Sequence, residues 1–236
     1  MDDARLDLSA VRARRHEATQ SLLGDTIAIT DEQWRQPTAL PGWTRAHIAA
    51  HLARQADGLR HIMDQLRDGR PTSLYRDAAA YRDDIERGSE QSALGLQTDL
   101  DTSAGRLHAR FPELLEMPCD KPVRLSPQLT VRLDHLPLIR LNEVVLHHID
   151  LDVGFTPADV EPDVAAWLLG FNAELIGRGA AYPAIRLVAD SGLTALIGGP
   201  GRPHNVHGPD NRLLGWLTGR LGPDGIDERL LALPLR

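Results

Sequence analysis

The chain has one cysteine, Cys119, and one lysine, Lys121, in 236 residues. A single cysteine excludes an intrachain disulfide. Cys119 lies between Pro118 and Asp120 with no chemistry-bearing neighbour, which makes it an incidental thiol rather than a nucleophile. If this protein uses thiol chemistry, the thiol has to come from a small molecule. Nearly all positive charge is arginine, a compositional bias of the kind a GC-rich genome produces, and no basic run occurs. The formal net charge of −7 argues against a nucleic-acid partner, which needs clustered Lys and Arg. No stretch of about 18 apolar residues is present, so no membrane span is expected. The opening MDDARLDLSAVRARR is acidic and then amphipathic, without the apolar region of a secretory signal. These absences point to a soluble cytoplasmic protein. Two catalytic signatures are also missing. Ser191-Gly192 is no nucleophile elbow, since Gly-x-Ser-x-Gly is absent. GGPG at 198–201 lacks the Lys and Ser/Thr of a phosphate-binding loop and reads as a turn.

What is there suits a folded protein of one large or two modest domains: 42% hydrophobic and 25% charged residues. Leu8, Val11, Leu22, Leu23 and Ile27 recur at helical spacing and predict a first helix over Ala4–Ile29. Thr44 can cap a second, RAHIAAHLARQADGLRHIMDQLRDG, stopped by Gly69 and Pro71. A polar stretch with Tyr75 and Tyr81 follows, then a third helix over Ala93–Phe111. Pro112, Pro118, Pro122 and Pro127 break up the next segment, and a fourth helix, PLIRLNEVVLHHIDLDVG, ends near Gly154. Four helices with one irregular insertion predict an up-and-down bundle variant over residues 1–156. Residues 157–236 change character. A helix over Asp163–Arg178, a hairpin of Ala184–Ala189 with Leu193–Ile197, a loop-rich segment in which part could be strand, a short helix capped by Asn211 and a last strand in ERLLALPLR make a small α+β domain. The fold class is therefore α+β.

Glu143 and His147 are four apart on the fourth helix and share one face. A carboxylate and an imidazole suit zinc and related divalent metals. His47 and His51 form a second i,i+4 pair on the second helix, and a third ligand from there would close a site in the bundle core. A hydrogen-bonded pair on a solvated face is the plain alternative. Leu141, Val144, Val145, Leu146 and Ile149 make the fourth helix apolar on most sides, and a buried Glu143 is costly unless paired or on a metal. His148 points about 100° from His147 and cannot share its ligand face. Asp150 can orient His147 as an acceptor, or be a surface aspartate. Arg220 closes a short apolar helix, either as a charge favoured by the helix dipole or as a fork for a carboxylate.

LPGWTRAHIAAHLARQADGL with His51, RLNEVVLHHIDLDVG with Glu143, His147 and Asp150, and the stretch with Tyr75, Arg82, Ile85, Gly88 and Ser89 resemble the DinB-like, mycothiol-dependent maleylpyruvate isomerases. LLGWLTGRLGPDG resembles a segment of the same family less clearly. The resemblance implies a DinB-like four-helix bundle followed by a small α/β domain resembling sterol carrier protein. It implies zinc on His51, Glu143 and His147, and an essential arginine at Arg220. His47 is then structural or a support for His51. Mycothiol, or another small thiol, would add to the cis double bond of maleylpyruvate, and its elimination would leave fumarylpyruvate. Arg220, with Arg82, would hold the carboxylate or the developing enolate. The same site suits a thiol S-transferase acting on another electrophile. A non-catalytic binding protein, using the second domain for an apolar ligand, is the alternative outside enzymes. The expected partners are a small thiol and a small carboxylate electrophile, with no nucleic acid and no membrane, in a monomer or weak homo-oligomer.

Overall fold

The computed structural model describes residues 7–75, 77–127, 129–177 and 183–222. Two compact units are present, Leu8–Val153 and a second that begins at Gly154.

The first unit runs α1 (Leu8–Thr26), α2 (Asp31–Trp34), α3 (Arg45–Arg67), α4 (Ala78–Ser89), α5 (Ala93–Arg110), β1 (Pro122–Ser126), β2 (Leu129–Arg132) and α6 (Leu136–Asp150). The long helices α1, α3, α5 and α6 pack as a four-helix bundle, α3 against α5 and α6, and α1 against both α6 and α5. Their ends follow local chemistry. Ser92 caps α5 by accepting from the Gly95 amide at 3.2 Å. Pro137 occupies the first turn of α6, where a missing amide hydrogen costs nothing. Gly69, just past α3, takes a left-handed φ of +66° that suits only glycine without strain. The core is built from Leu22, Trp34, Ile48, Leu52, Leu96 and Val144, each at most 3% exposed. Each such side chain contributes about 1.5–3 kcal/mol by leaving water.

Two segments differ from expectation. Residues 78–89 form helix α4 where the polar composition suggests an irregular stretch; Asp77 caps it by accepting from the Ala80 amide at 2.7 Å. The proline-broken segment contains an antiparallel hairpin, β1 with β2. Pro122 opens β1 opposite Arg132, a strand-end position that tolerates the lost donor.

The second unit runs α7 (Pro162–Gly177), β3 (Ile185–Ala189), β4 (Thr194–Ile197), β5 (His204–Gly208) and α8 (Asp210–Leu217). β3 is central, antiparallel to β4 and parallel to β5. The β3–β4 turn runs through Gly192 at φ +90°. The Ser191 hydroxyl donates to Asp210 at 2.6 Å, which ties this turn to the start of α8. Asn211 does not cap α8. The helix begins one residue earlier, after Pro209, and Asn211 accepts from the Arg212 amide at 2.9 Å within the first turn. ERLLALPLR lies outside the described residues. Among the described residues no helix is long and apolar enough to cross a membrane.

Candidate metal centre

α3 and α6 bring the sequence candidates together. Two arginines hold these helices in register. Arg45, at the start of α3, donates to the carbonyls of Leu151 at 2.6 Å and Asp152 at 2.8 Å, at the end of α6. A cation there also suits the negative end of that helix. Arg140, on α6, donates back to the Leu52 carbonyl at 2.8 Å and to Gln55 Oε1 at 2.7 Å. Burial pushes its guanidinium down to about 10, which still leaves it charged at neutral pH.

Between these clamps, His51, Glu143 and His147 each offer one ligand atom, and the three atoms lie within 4.8 Å of one another. His51 Nε2 is 2.8 Å from Glu143 Oε2, and His147 Nε2 is 3.5 Å from the same oxygen. Tetrahedral bonds of about 2 Å put neighbouring ligand atoms about 3.3 Å apart, so the cluster needs little adjustment to hold a zinc-sized ion. The donor set, two imidazoles and a carboxylate, fits zinc and similar divalent metals.

The outer ring nitrogens are also engaged. Asp150 Oδ2 is 2.9 Å from His147 Nδ1, and its side chain is only 3% exposed. Asp150 is thus a buried support for His147, not a surface residue. Tyr81 places its hydroxyl against His51 Nδ1. Trp43 covers the group, its ring stacked on His147 with centroids 6.2 Å apart and tilted against His51 at 5.3 Å.

Burial opposes the charge on Glu143, but hydrogen bonds from His147 and His51 outweigh it and hold the carboxyl well below the ordinary carboxylate range. Burial also works against a proton on His147, yet Asp150 and Glu143 prevail and raise its pKa. On His51 burial prevails and lowers it, so this imidazole stays available as a neutral ligand.

The other histidines are occupied elsewhere. Thr44 donates its amide to His47 Nδ1 at 3.2 Å, and His47 Nε2 is 3.3 Å from Glu86. His47 therefore braces the start of α3. His148 is buried and pairs with Asp25 on α1 at 3.0 Å. Arg82 is exposed on α4 and points about 100° away from Tyr81 around that helix. Arg220, half-buried in the second unit, follows α8 and donates to the Thr218 carbonyl at 2.8 Å.

Three participants lacked a role in the sequence reading: Tyr81, Trp43 and Arg140. Tyr81, Ile85 and Gly88 recur at i, i+4 and i+7, a helical face that marks both α4 and the tyrosine's direction. Gly88 lets that face come close, since a Cβ there would sit 2.9 Å from Ala50 Cβ, next to His51. Gly88→Val is expected to lower the unfolding free energy by about 1–3 kcal/mol through overpacking. Urea denaturation checks this, and an unchanged midpoint would mean that the two helices part freely.

Residues 15–152 match the family model described as the mycothiol maleylpyruvate isomerase N-terminal domain. The chain belongs to that family. A crystal structure of the mycothiol-dependent maleylpyruvate isomerase superposes with a TM-score of 0.82 at 22% identity, covering 92% of this chain and 90% of that one. A crystal structure of a mutant of that isomerase gives 0.83 at 23% identity, with 93% and 91% covered. This member thus shares the maleylpyruvate isomerase fold in both its helical part and its C-terminal strands. No curated protein matches the chain.

Proposed function

We propose that this chain is a metal- and thiol-dependent cis–trans isomerase, acting on maleylpyruvate or a similar cis-dicarboxylate with mycothiol as cosubstrate. The observation that carries the reading is the convergence of His51, Glu143 and His147 with both imidazoles supported from behind. Family membership supports the choice of thiol and substrate.

The three side chains would hold one divalent ion, zinc by their donor chemistry. A divalent ion held there would supply positive charge that lowers the pKa of a thiol beside it. The chain's residues do the rest. Asp150 accepts the Nδ1 proton of His147 and leaves its Nε2 lone pair facing inward. The Trp43 ring shields one side of the site from water. Arg220 would hold a substrate carboxylate or the enolate oxygen; Arg82, exposed and turned away from the Tyr81 face of α4, is given no such role.

The reaction balances without consuming thiol. The sulfur forms a bond to one alkene carbon, and the π electrons move to the conjugated carbonyl oxygen. The carbon–carbon bond, now single, rotates. The enolate then collapses, the carbon–sulfur bond breaks, and the trans alkene and the thiolate are regenerated. Asp150→Asn is expected to weaken zinc binding about 10–100-fold, the usual cost of losing such a support. Chelator competition measures it, and wild-type affinity in the variant would remove Asp150 from the account.

The deciding assay offers zinc-loaded protein maleylpyruvate with mycothiol, then with glutathione, and follows the ultraviolet spectrum. Conversion to fumarylpyruvate with no loss of thiol is the expected result. Accumulation of a stable thioether would make the protein an S-transferase. No turnover with either thiol would leave a binding protein.

A further inference from the structure

The geometry points to Tyr81 as the positioning residue for His51, and to the α4 face that carries it as part of what sets the site's metal affinity. This inference rests on the metal reading above.

The two ligand histidines are supported differently. His147 meets a carboxylate, which only accepts hydrogen bonds, so its Nδ1 must carry the proton. His51 meets a phenol, which both donates and accepts. Tyr81 can therefore follow His51 through metal loading. With a proton on Nε2 facing Glu143, the hydroxyl donates to the bare Nδ1. With the Nε2 lone pair on a metal, the same hydroxyl accepts from Nδ1–H. The ring keeps its orientation in both states.

The phenol is itself held in place. Its ring stacks on Tyr75, centroids 3.7 Å apart and planes 20° from parallel. Ile85, 4% exposed, and Gly88, in close approach to Ala50, seat the same face of α4 on α3. Tyr81 is thus fixed by packing that does not involve the metal ligands.

Tyr81→Phe removes the hydroxyl and keeps the ring and its stack. The test titrates zinc into metal-free wild type and Tyr81→Phe by chelator competition. In parallel, nitrogen-correlated NMR of the histidine rings follows exchange of the His51 Nδ1 proton in the zinc-loaded proteins. The expected result is about 10–100-fold weaker zinc binding in the variant, with faster exchange of that proton and a melting temperature of the metal-free chain lowered only by the few degrees that one lost hydrogen bond costs. Equal zinc affinity, or equal protection of the Nδ1 proton, would overturn the role of Tyr81 alone. A wild-type chain that takes up no zinc would overturn the metal reading, and this role with it.

Discussion

His147→Ala is expected to abolish turnover at micromolar zinc while leaving the helical content nearly intact. Zinc held by a full four-ligand protein site is bound by about 10–16 kcal/mol, so one ligand accounts for about 2.5–4 kcal/mol. Each 1.4 kcal/mol is tenfold, which makes the loss on the order of 100–1,000-fold in affinity. The bundle survives because its core, Leu22, Trp34, Ile48, Leu52, Leu96 and Val144, excludes the ligand residues. The substitution also takes from buried Asp150 its imidazole partner, at a cost of about 1–3 kcal/mol in stability. His148→Ala is the matched control. That neighbour pairs with Asp25 and not with the cluster, so its loss should lower stability and spare the metal. Elemental analysis after dialysis reads both variants. One ion per chain in His147→Ala would refute the ligand assignment.

Arg220→Ala is expected to do the reverse, retaining the ion and losing about 100–1,000-fold in turnover, the range for removing one preorganised donor to developing charge. Its bonds within the second unit also suit a plain closing residue for α8, since its amide donates to the Gly215 carbonyl at 2.7 Å and its side chain to that of Thr218 at 2.8 Å. A favourable charge at a helix end is worth only about 0.3–1 kcal/mol and has no effect on chemistry. Arg220→Lys separates the two roles. Lysine keeps the charge that the helix end favours and loses the planar fork that suits a carboxylate. Full activity in Arg220→Lys and Arg220→Ala, with a slightly lower melting temperature in the latter, would assign Arg220 to the helix end.

The parts of the site that follow one helix were legible in the sequence. Glu143 and His147 share a face by spacing alone, and the apolar residues around them say that the face is buried. What spacing could not supply was the partner across the bundle. His47 and His51 are both on α3 and one turn apart; the family resemblance pointed to His51, and the docking of α3 on α6 supplies the physical reason. In the fold it is His51 that meets Glu143, while His47 turns to Thr44 and Glu86. Helix α4 was hidden for a different reason. Half of its twelve residues, AAAYRDDIERGS, are charged or polar, and one of its inward positions is a glycine. A face built from Tyr81, Ile85 and Gly88 has little hydrophobic contrast, so its period is faint even though its packing is close. The β1–β2 hairpin was hidden by prolines that fall at a strand start and in the turn, where they do no harm. Asp150 shows the same limit at one residue: an aspartate at the end of a helix is ambiguous until its burial and its 2.9 Å contact with His147 are known.

The proposed activity depends on a metal-bearing site that lowers the pKa of a thiol. Its most direct test is proton release when mycothiol is added to the zinc-loaded protein in weakly buffered solution near neutral pH. The predicted result is close to one proton per chain, saturating with the thiol and absent in His147→Ala. Saturable thiol binding with no proton released, or the same release from His147→Ala, would contradict it.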